Sequence, residues 1–214
     1  MMYLDLVNGV LKRLRESTVT TAPENDYSVL IGELVNDAKK QIELRHEWTA
    51  LRTTLTFNTV VGTSEYTLTN AFQNAIFKQA MNNTINNYIT QRDLTYFNNN
   101  TVLATAATGS PSNFMFNGTS ADGYLKVQLN PVPAAIEAIR FDMIVPQVDL
   151  SADTDMLTIP SNPVLQLAFG MALRERGETG GMSAAEQFRV ADSALSDAIA
   201  IDQNRYQNET YYAV

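Results

Sequence analysis

The sequence predicts an α+β chain: a helical bundle built from both termini, an inserted antiparallel β domain, and an extended C-terminal tail. Three observations carry this. Charged side chains are dense before residue 50 and after residue 160 and sparse between them, where Thr and Asn accumulate. Apolar residues repeat at helical spacing in the two outer thirds and alternate in the middle. After Tyr206 no periodicity remains. The expected division is therefore 1–49 with 160–206 as the bundle, 50–159 as the β domain, and 207–214 as an arm.

In the first third, Leu4, Val7, Leu11 and Leu14 recur at steps of three and four, so one helix face is apolar. Asp5 lies early and Lys12, Arg13 and Arg15 lie late, as the helix dipole favours. Thr21-Ala22-Pro23-Glu24 reads as a capping box with proline in the first turn. The helix it opens carries Tyr27, Ile31, Leu34, Val35, Ala38 and Ile42 on one face, and a run from Ala22 to Trp48 would span about 40 Å.

Leu51, Leu55 and Phe57 then alternate with Arg52, Thr54, Thr56 and Asn58, and Gly62 turns the chain into Tyr66 and Leu68, a predicted hairpin. Leu125, Val127 and Leu129 form a second alternating run, closed by Asn130-Pro131-Val132-Pro133. Ile139, Phe141, Met143 and Val145 form a third, stopped by Pro146. The expectation is a small antiparallel sheet or barrel. Ile85, Tyr88, Ile89, Leu94, Tyr96 and Phe97 read as further strands, with Asn-rich turns at 82–83, 86–87 and 98–100.

In the last third, Asn162 reads as an N-cap with Pro163 at the first helical position. Val164, Leu165, Leu167, Ala168, Phe169, Met171, Ala172 and Leu173 leave little polar face, so this helix is expected to be central. Gly177 suits its C-terminal cap. Ser183-Ala184-Ala185-Glu186 reads as a capping box for a last helix with Phe188, Ala191, Leu195 and Ala198 on one stripe.

Composition narrows the chemistry. The chain has no cysteine and one histidine, His46, which removes disulfides, thiol catalysis, thiolate metal sites and multi-histidine zinc sites. His46 near a helix end needs only a structural role. Asp149, Asp153 and Asp155 are the best metal candidates, but Met156-Leu157 stands where a calcium loop needs glycine, so a solvated loop is expected. Gly177, Gly180 and Gly181 form no phosphate-binding fingerprint. Any two of the 23 acids could meet in space as a hydrolase pair, and no feature singles one out. No catalytic, cofactor-binding or metal-binding residue is expected. Lys and Arg number 15 against 23 Asp and Glu, a balance of −8, which opposes binding to a phosphate backbone unless cations cluster locally. The basic residues are scattered along the sequence, often beside acids, as in Arg174-Glu175-Arg176. No basic region precedes an apolar stretch at the start, and the uncharged run from Leu94 to Ala121 is rich in Asn, Thr, Ser and Gly, so neither a secretory signal nor a membrane span is expected.

The order of these landmarks resembles the head-to-tail adaptors of tailed bacteriophages, the tubular-tail-protein or tail-accessory-factor family. The resemblance rests on Ala38 to Trp48 followed at once by a strand, then Gly109-Ser110-Pro111-Ser112-Asn113-Phe114, then Leu129-Asn130-Pro131-Val132-Pro133, the extended run to Ile159-Pro160, and a terminal helix pair. The Asn-rich stretch 70–100 has no counterpart in it. The resemblance implies a homo-oligomeric ring, twelve copies in that family, beneath the portal protein in the neck of a virion assembled in the host cytoplasm. Such a ring continues the DNA channel, holds no sequence-specific contact to DNA, and docks the next tail or nozzle component. An acidic lining suits it, because like charge lets DNA slide. On this reading Tyr206, Tyr211, Tyr212 and Val214 dock the portal. Tyr88, Tyr96, Phe97, Asn98, Asn99 and Asn100 meet the distal component, and Leu34 and Phe169 pack between subunits. The competing readings are a cell-wall-degrading hydrolase and another neck or tail-completion protein.

Overall fold

A computed structural model describes residues 1–177 and 184–205, and its architecture is α+β. The chain divides into Met1–Leu51 with the residues from Gln147 onward, and Arg52–Pro146.

The first unit is helical. Helix α1 (Tyr3–Arg13) buries Tyr3, Leu6, Val7, Val10 and Leu11. Helix α2 (Asp26–Arg45) starts later than predicted. Its N-cap is Asn25, whose Oδ1 accepts the Ser28 N–H at 2.8 Å. Glu24 does reach back, but to the N–H and hydroxyl of Thr20, so the predicted box closes a turn before the helix. With 20 residues, α2 is about 30 Å long rather than 40.

Helix α4 (Ser161–Arg176) packs against α1, α2 and α5 (Ala184–Gln203) and buries Val164, Leu165, Leu167, Ala168, Met171, Ala172 and Leu173. It begins one residue before the predicted cap, with Pro160 at the N-cap and no side-chain cap bond. Pro163 falls in the first turn, where a missing N–H costs no helical bond. Gly177 ends the helix in the left-handed region at φ 62°. A Cβ on Gly170 would lie 2.9 Å from the Phe188 ring, so glycine here lets α4 and α5 approach closely. The predicted box at Ser183 lies outside the described residues.

The extended run 147–159, expected in the β domain, belongs to this helical unit. One face of α2 satisfies its backbone. Asn36 donates to Leu150 O at 3.0 Å and accepts from Leu150 N at 2.9 Å. Lys39 Nζ donates to the carbonyls of Gln147 and Val148 at 2.5 and 2.8 Å, and Glu43 accepts Gln147 N–H at 3.2 Å. Farther along, Tyr3 N–H donates to Asp155 O and Leu157 N–H to Met1 O.

The second unit is a sandwich rather than a single sheet or barrel. One sheet orders β1 (Arg52–Asn58), β10 (Ala138–Ile144), β3 (Ile76–Asn82) and β4 (Asn87–Tyr88). The other orders β2 (Glu65–Phe72), β8 (Tyr124–Asn130), β7 (Asn113–Thr119) and β5 (Thr90–Gln91). A small parallel pair joins β6 (Thr108–Gly109) to β9 (Val132–Pro133). Gly62 does turn the chain, at φ 80°, but β1 and β2 enter different sheets and form no hairpin. Both sheets contribute to one core. Leu68, Phe114, Val127, Leu129, Ile139, Phe141 and Met143 are buried there, as the alternating runs predicted for β8 and β10. The Phe114 and Phe141 rings meet edge to face at 5.0 Å.

The segment after β5 departs from its prediction. Leu94–Phe97 is a short helix, α3, and Asn98–Val102 continues it as a wide π-turn. Asp93 accepts the Tyr96 N–H and Thr101 hydroxyl donates back to Phe97 O, so local bonding favours a helical turn where spacing suggested strands.

Candidate functional site

Tyr206, Tyr211, Tyr212 and Val214, the expected portal-docking residues, lie outside the described residues. The chain just before them is firmly anchored. Asp202, 3 % exposed near the end of α5, accepts from Thr49 N–H at 3.0 Å, Thr49 Oγ1 at 2.5 Å and Arg205 at 3.3 Å. His46 Nε2 lies 3.1 Å from the same carboxylate, and its ring stands edge-on to the buried Trp48 at 4.8 Å. Burial pushes the Asp202 carboxyl up, but the two Thr49 bonds and His46 outweigh it and hold its pKa below the ordinary 3.8. His46 thus has a structural partner, which the sequence could not name because Asp202 is 156 positions away.

The residues expected to meet a distal component differ in exposure. Tyr88 is 65 % exposed on β4. Tyr96 is half-buried, with its hydroxyl accepting from Asn113 Nδ2 at 3.1 Å and the Arg92 guanidinium 5.3 Å from its ring. Phe97 is 1 % exposed and leaves the surface set. Asn98, Asn99 and Asn100, expected in a turn, sit on the π-turn, with Asn100 donating to Tyr96 O. The 83–86 turn does join two paired strands, β3 and β4, and Asn86 takes a positive φ there.

Sequence reading missed an apolar end on the sandwich. Exposed Val60 and Val61 lie on the β1–β2 connection, Ile136 on the β9–β10 connection and Ile85 on the 83–86 turn. Backbone bonds tie these loops together, from Thr59 N–H to Glu137 O at 2.9 Å and from Asn83 N–H to Ala138 O at 2.8 Å. The register places this end where β1 finishes and β10 begins, opposite the end at which the chain enters at Arg52 and leaves after Ile144. Val60-Val61 beside Gly62 was the signal available. Leu34 and Phe169, expected between subunits, are both half-buried.

The three aspartates of the metal reading have other commitments. Asp149 pairs with Lys40 at 2.8 Å, Asp153 accepts Ala22 N–H, and Asp155 accepts the N–H groups of Ser151 and Ala152. Among the described residues no group of three His, Cys, Asp or Glu side chains could hold a metal ion. No described helix is long and apolar enough to cross a membrane.

Folding also gathers cations that are far apart in sequence. Arg52 of β1, Lys78 of β3 and Arg140 of β10 line a cleft of about 440 Å³ on the outer face of their sheet. In its lining Asp142 accepts from Arg140 Nε at 2.9 Å and from Thr54 Oγ1 at 2.7 Å.

A protein-family model described as SU10 adaptor protein matches residues 1–212. No curated protein matches the chain.

Proposed function

The chain belongs to the SU10 adaptor protein family, and on that premise we propose that it is a structural head-to-tail adaptor of a tailed phage. The family match over residues 1–212 is the observation that carries this reading. Copies form a ring, dodecameric on the resemblance described above, beneath the portal in the virion neck, assembled in the host cytoplasm. The ring continues the DNA channel and presents a platform to the next tail component. The net charge of −8 suits a conduit that must not hold DNA.

Within this reading the helical unit supplies the ring wall, with Leu34 and Phe169 half-buried and open to further cover. The arm 207–214 docks the portal through Tyr206, Tyr211, Tyr212 and Val214. Tyrosine offers large contact area with few rotatable bonds, and ring symmetry multiplies weak contacts through effective concentration. The Asp202 cluster fixes the stretch from which that arm departs. The platform for the next component is the sandwich, where Tyr88 and the apolar end at Val60, Val61, Ile85 and Ile136 are exposed.

The test is a truncation. Protein lacking Gln207 to Val214 should fold and stay soluble, yet fail to co-sediment with portal-bearing particles. Undiminished attachment would sink the docking assignment. Peptidoglycan cleavage abolished by a single carboxylate change would overturn the structural role itself.

A further inference from the structure

We propose that the Asn117-Gly118 pair, near the end of β7, is a site of slow self-modification whose reaction unties strands of the sandwich. It stands apart from the ring reading and needs no partner. The chain has two Asn-Gly pairs, at 8–9 and 117–118. In such a pair the glycine nitrogen reaches the preceding side-chain carbonyl with little hindrance, because glycine is conformationally free and has no Cβ. Folding treats the two pairs oppositely. Asn8 and Gly9 lie inside α1, and Val19 holds both ends of the Asn8 amide. Its Nδ2 donates to Val19 O at 3.0 Å, and its Oδ1 accepts Val19 N–H at 2.8 Å. Gly9 is packed as well, since a Cβ there would lie 3.0 Å from Leu165. Asn117 and Gly118, in contrast, lie where two residues of β7 oppose one of β8. Phe116 pairs with Val127 and Thr119 with Leu125, so the ladder is interrupted between them. Gly118 is exposed at φ 73°, and a Cβ on it would meet nothing within 4 Å. Water and backbone rotation therefore have access to this peptide.

The Gly118 nitrogen attacks Asn117 Cγ. A bond forms between them, the Cγ–Nδ2 bond breaks, and the Gly118 amide proton leaves with Nδ2 as ammonia. Solvent water then opens the cyclic imide. Addition at Cγ restores the backbone with an aspartate at position 117. Addition at the main-chain carbonyl instead routes the backbone through the side chain, as isoaspartate. Either product puts a carboxylate where a donor was. Before reaction Asn117 Nδ2 donates to Glu65 Oε1 on β2 at 2.6 Å, and Lys126 Nζ on β8 donates to Glu65 Oε2 at 3.0 Å. These side chains link β2, β8 and β7, which lie in that order in one sheet. After reaction two like charges stand where donor met acceptor, so an attraction becomes a repulsion. Isoaspartate also adds a methylene to the main chain and upsets the spacing on which ladder bonds depend.

The experiment ages the full-length folded protein in warm, mildly alkaline buffer and locates amide-to-acid conversion by fragmentation mass spectrometry. Asn117 should convert about tenfold faster than Asn8 or more, because Asn8 must first break both bonds to Val19 and open its helix turn. In urea the two pairs should convert at similar rates, since folding is what separates them. Enzymatic methyl labelling should find isoaspartate in aged wild type. Asn117→Gln should lose most of that label, because glutamine keeps the donor but closes its ring far more slowly. Asn117→Ser replaces it should circular dichroism show that the glutamine variant does not fold. Amide exchange in β2 and β7 should quicken in aged wild type and not in the aged variant. Equal rates at Asn8 and Asn117 in the folded chain overturn the assignment. So does label that persists in the variant, which would place the reaction at Asp122, also followed by glycine. Conversion at Asn117 with unchanged exchange overturns the untying of the strands.

Discussion

In the helical unit a buried lysine reaches two backbone carbonyls, whereas in the sandwich phenylalanine rings from two sheets meet across an apolar core. The difference follows from where each unit's backbone finds its partners. A helix satisfies its own backbone internally and offers nothing to an extended neighbour. The run 147–150 therefore takes its hydrogen bonds from the side chains of Asn36, Lys39 and Glu43. Strands satisfy one another, so their inward side chains are free to be apolar. Polar ties in the sandwich gather where the ladders stop. Buried Glu137, one residue before β10, accepts from Ser110 and Asn82, and its N–H donates to Thr59 Oγ1.

The sharpest way to break the comparison is at Phe141, fully buried and in ring contact with Phe57, Phe77 and Phe114. Phe141→Ala should cost the sandwich about 4 kcal/mol, the range for emptying a packed aromatic site. Amide exchange across β10 should report it. The sole tryptophan, Trp48, is buried in the helical unit, so its fluorescence transition should move much less. Equal shifts in both readouts would mean that the two cores do not unfold separately.

The next largest effect is expected at Lys39. Burial lowers its pKa against the pull of Glu43 and Asp149, and burial likewise raises Glu43 against the pull of Lys39. Lys39→Met should cost about 3 kcal/mol in urea unfolding followed at Trp48, because it strands Glu43 and two carbonyls. Lys40→Ala, which removes an exposed partner of Asp149, should cost under about 1 kcal/mol. Similar costs at the two lysines would show that the carbonyl contacts contribute nothing.

The smallest effect concerns pH. Asp202 has a folded pKa below 3.8, so its contribution is fully present above that value and is lost as pH falls through the folded value. Lowering pH from about 5 to about 2 should therefore loosen the helical unit in wild type more than in Asp202→Asn. At neutral pH the same substitution should cost about 1–2 kcal/mol, the scale of charge-assisted hydrogen bonds lost. An unchanged acid profile in Asp202→Asn would mean that other carboxylates set it.

The sequence by itself determined the elements whose signals are local. The 3–4 spacing from Leu4 to Leu14 gave α1, the alternations around Val127 and Phe141 gave β8 and β10, and Gly177 marked the end of α4. It also divided helix-rich ends from a β middle. It misread Leu94 to Phe97, because a few apolar residues without β-branching suit a turn of helix as well as a strand, and the Asp93 bond to Tyr96 N–H decided between them. Which elements join which was not legible. Arg52 pairs with Ile144, His46 meets Asp202, and the strap at 147–150 binds α2 across more than a hundred residues. The cationic cleft was likewise invisible, since Arg52, Lys78 and Arg140 look scattered until three strands align them. Periodicity encodes which face of an element is apolar, through neighbours two to four residues away. The choice of partner depends on contacts between distant segments, and only the closed tertiary structure decides those.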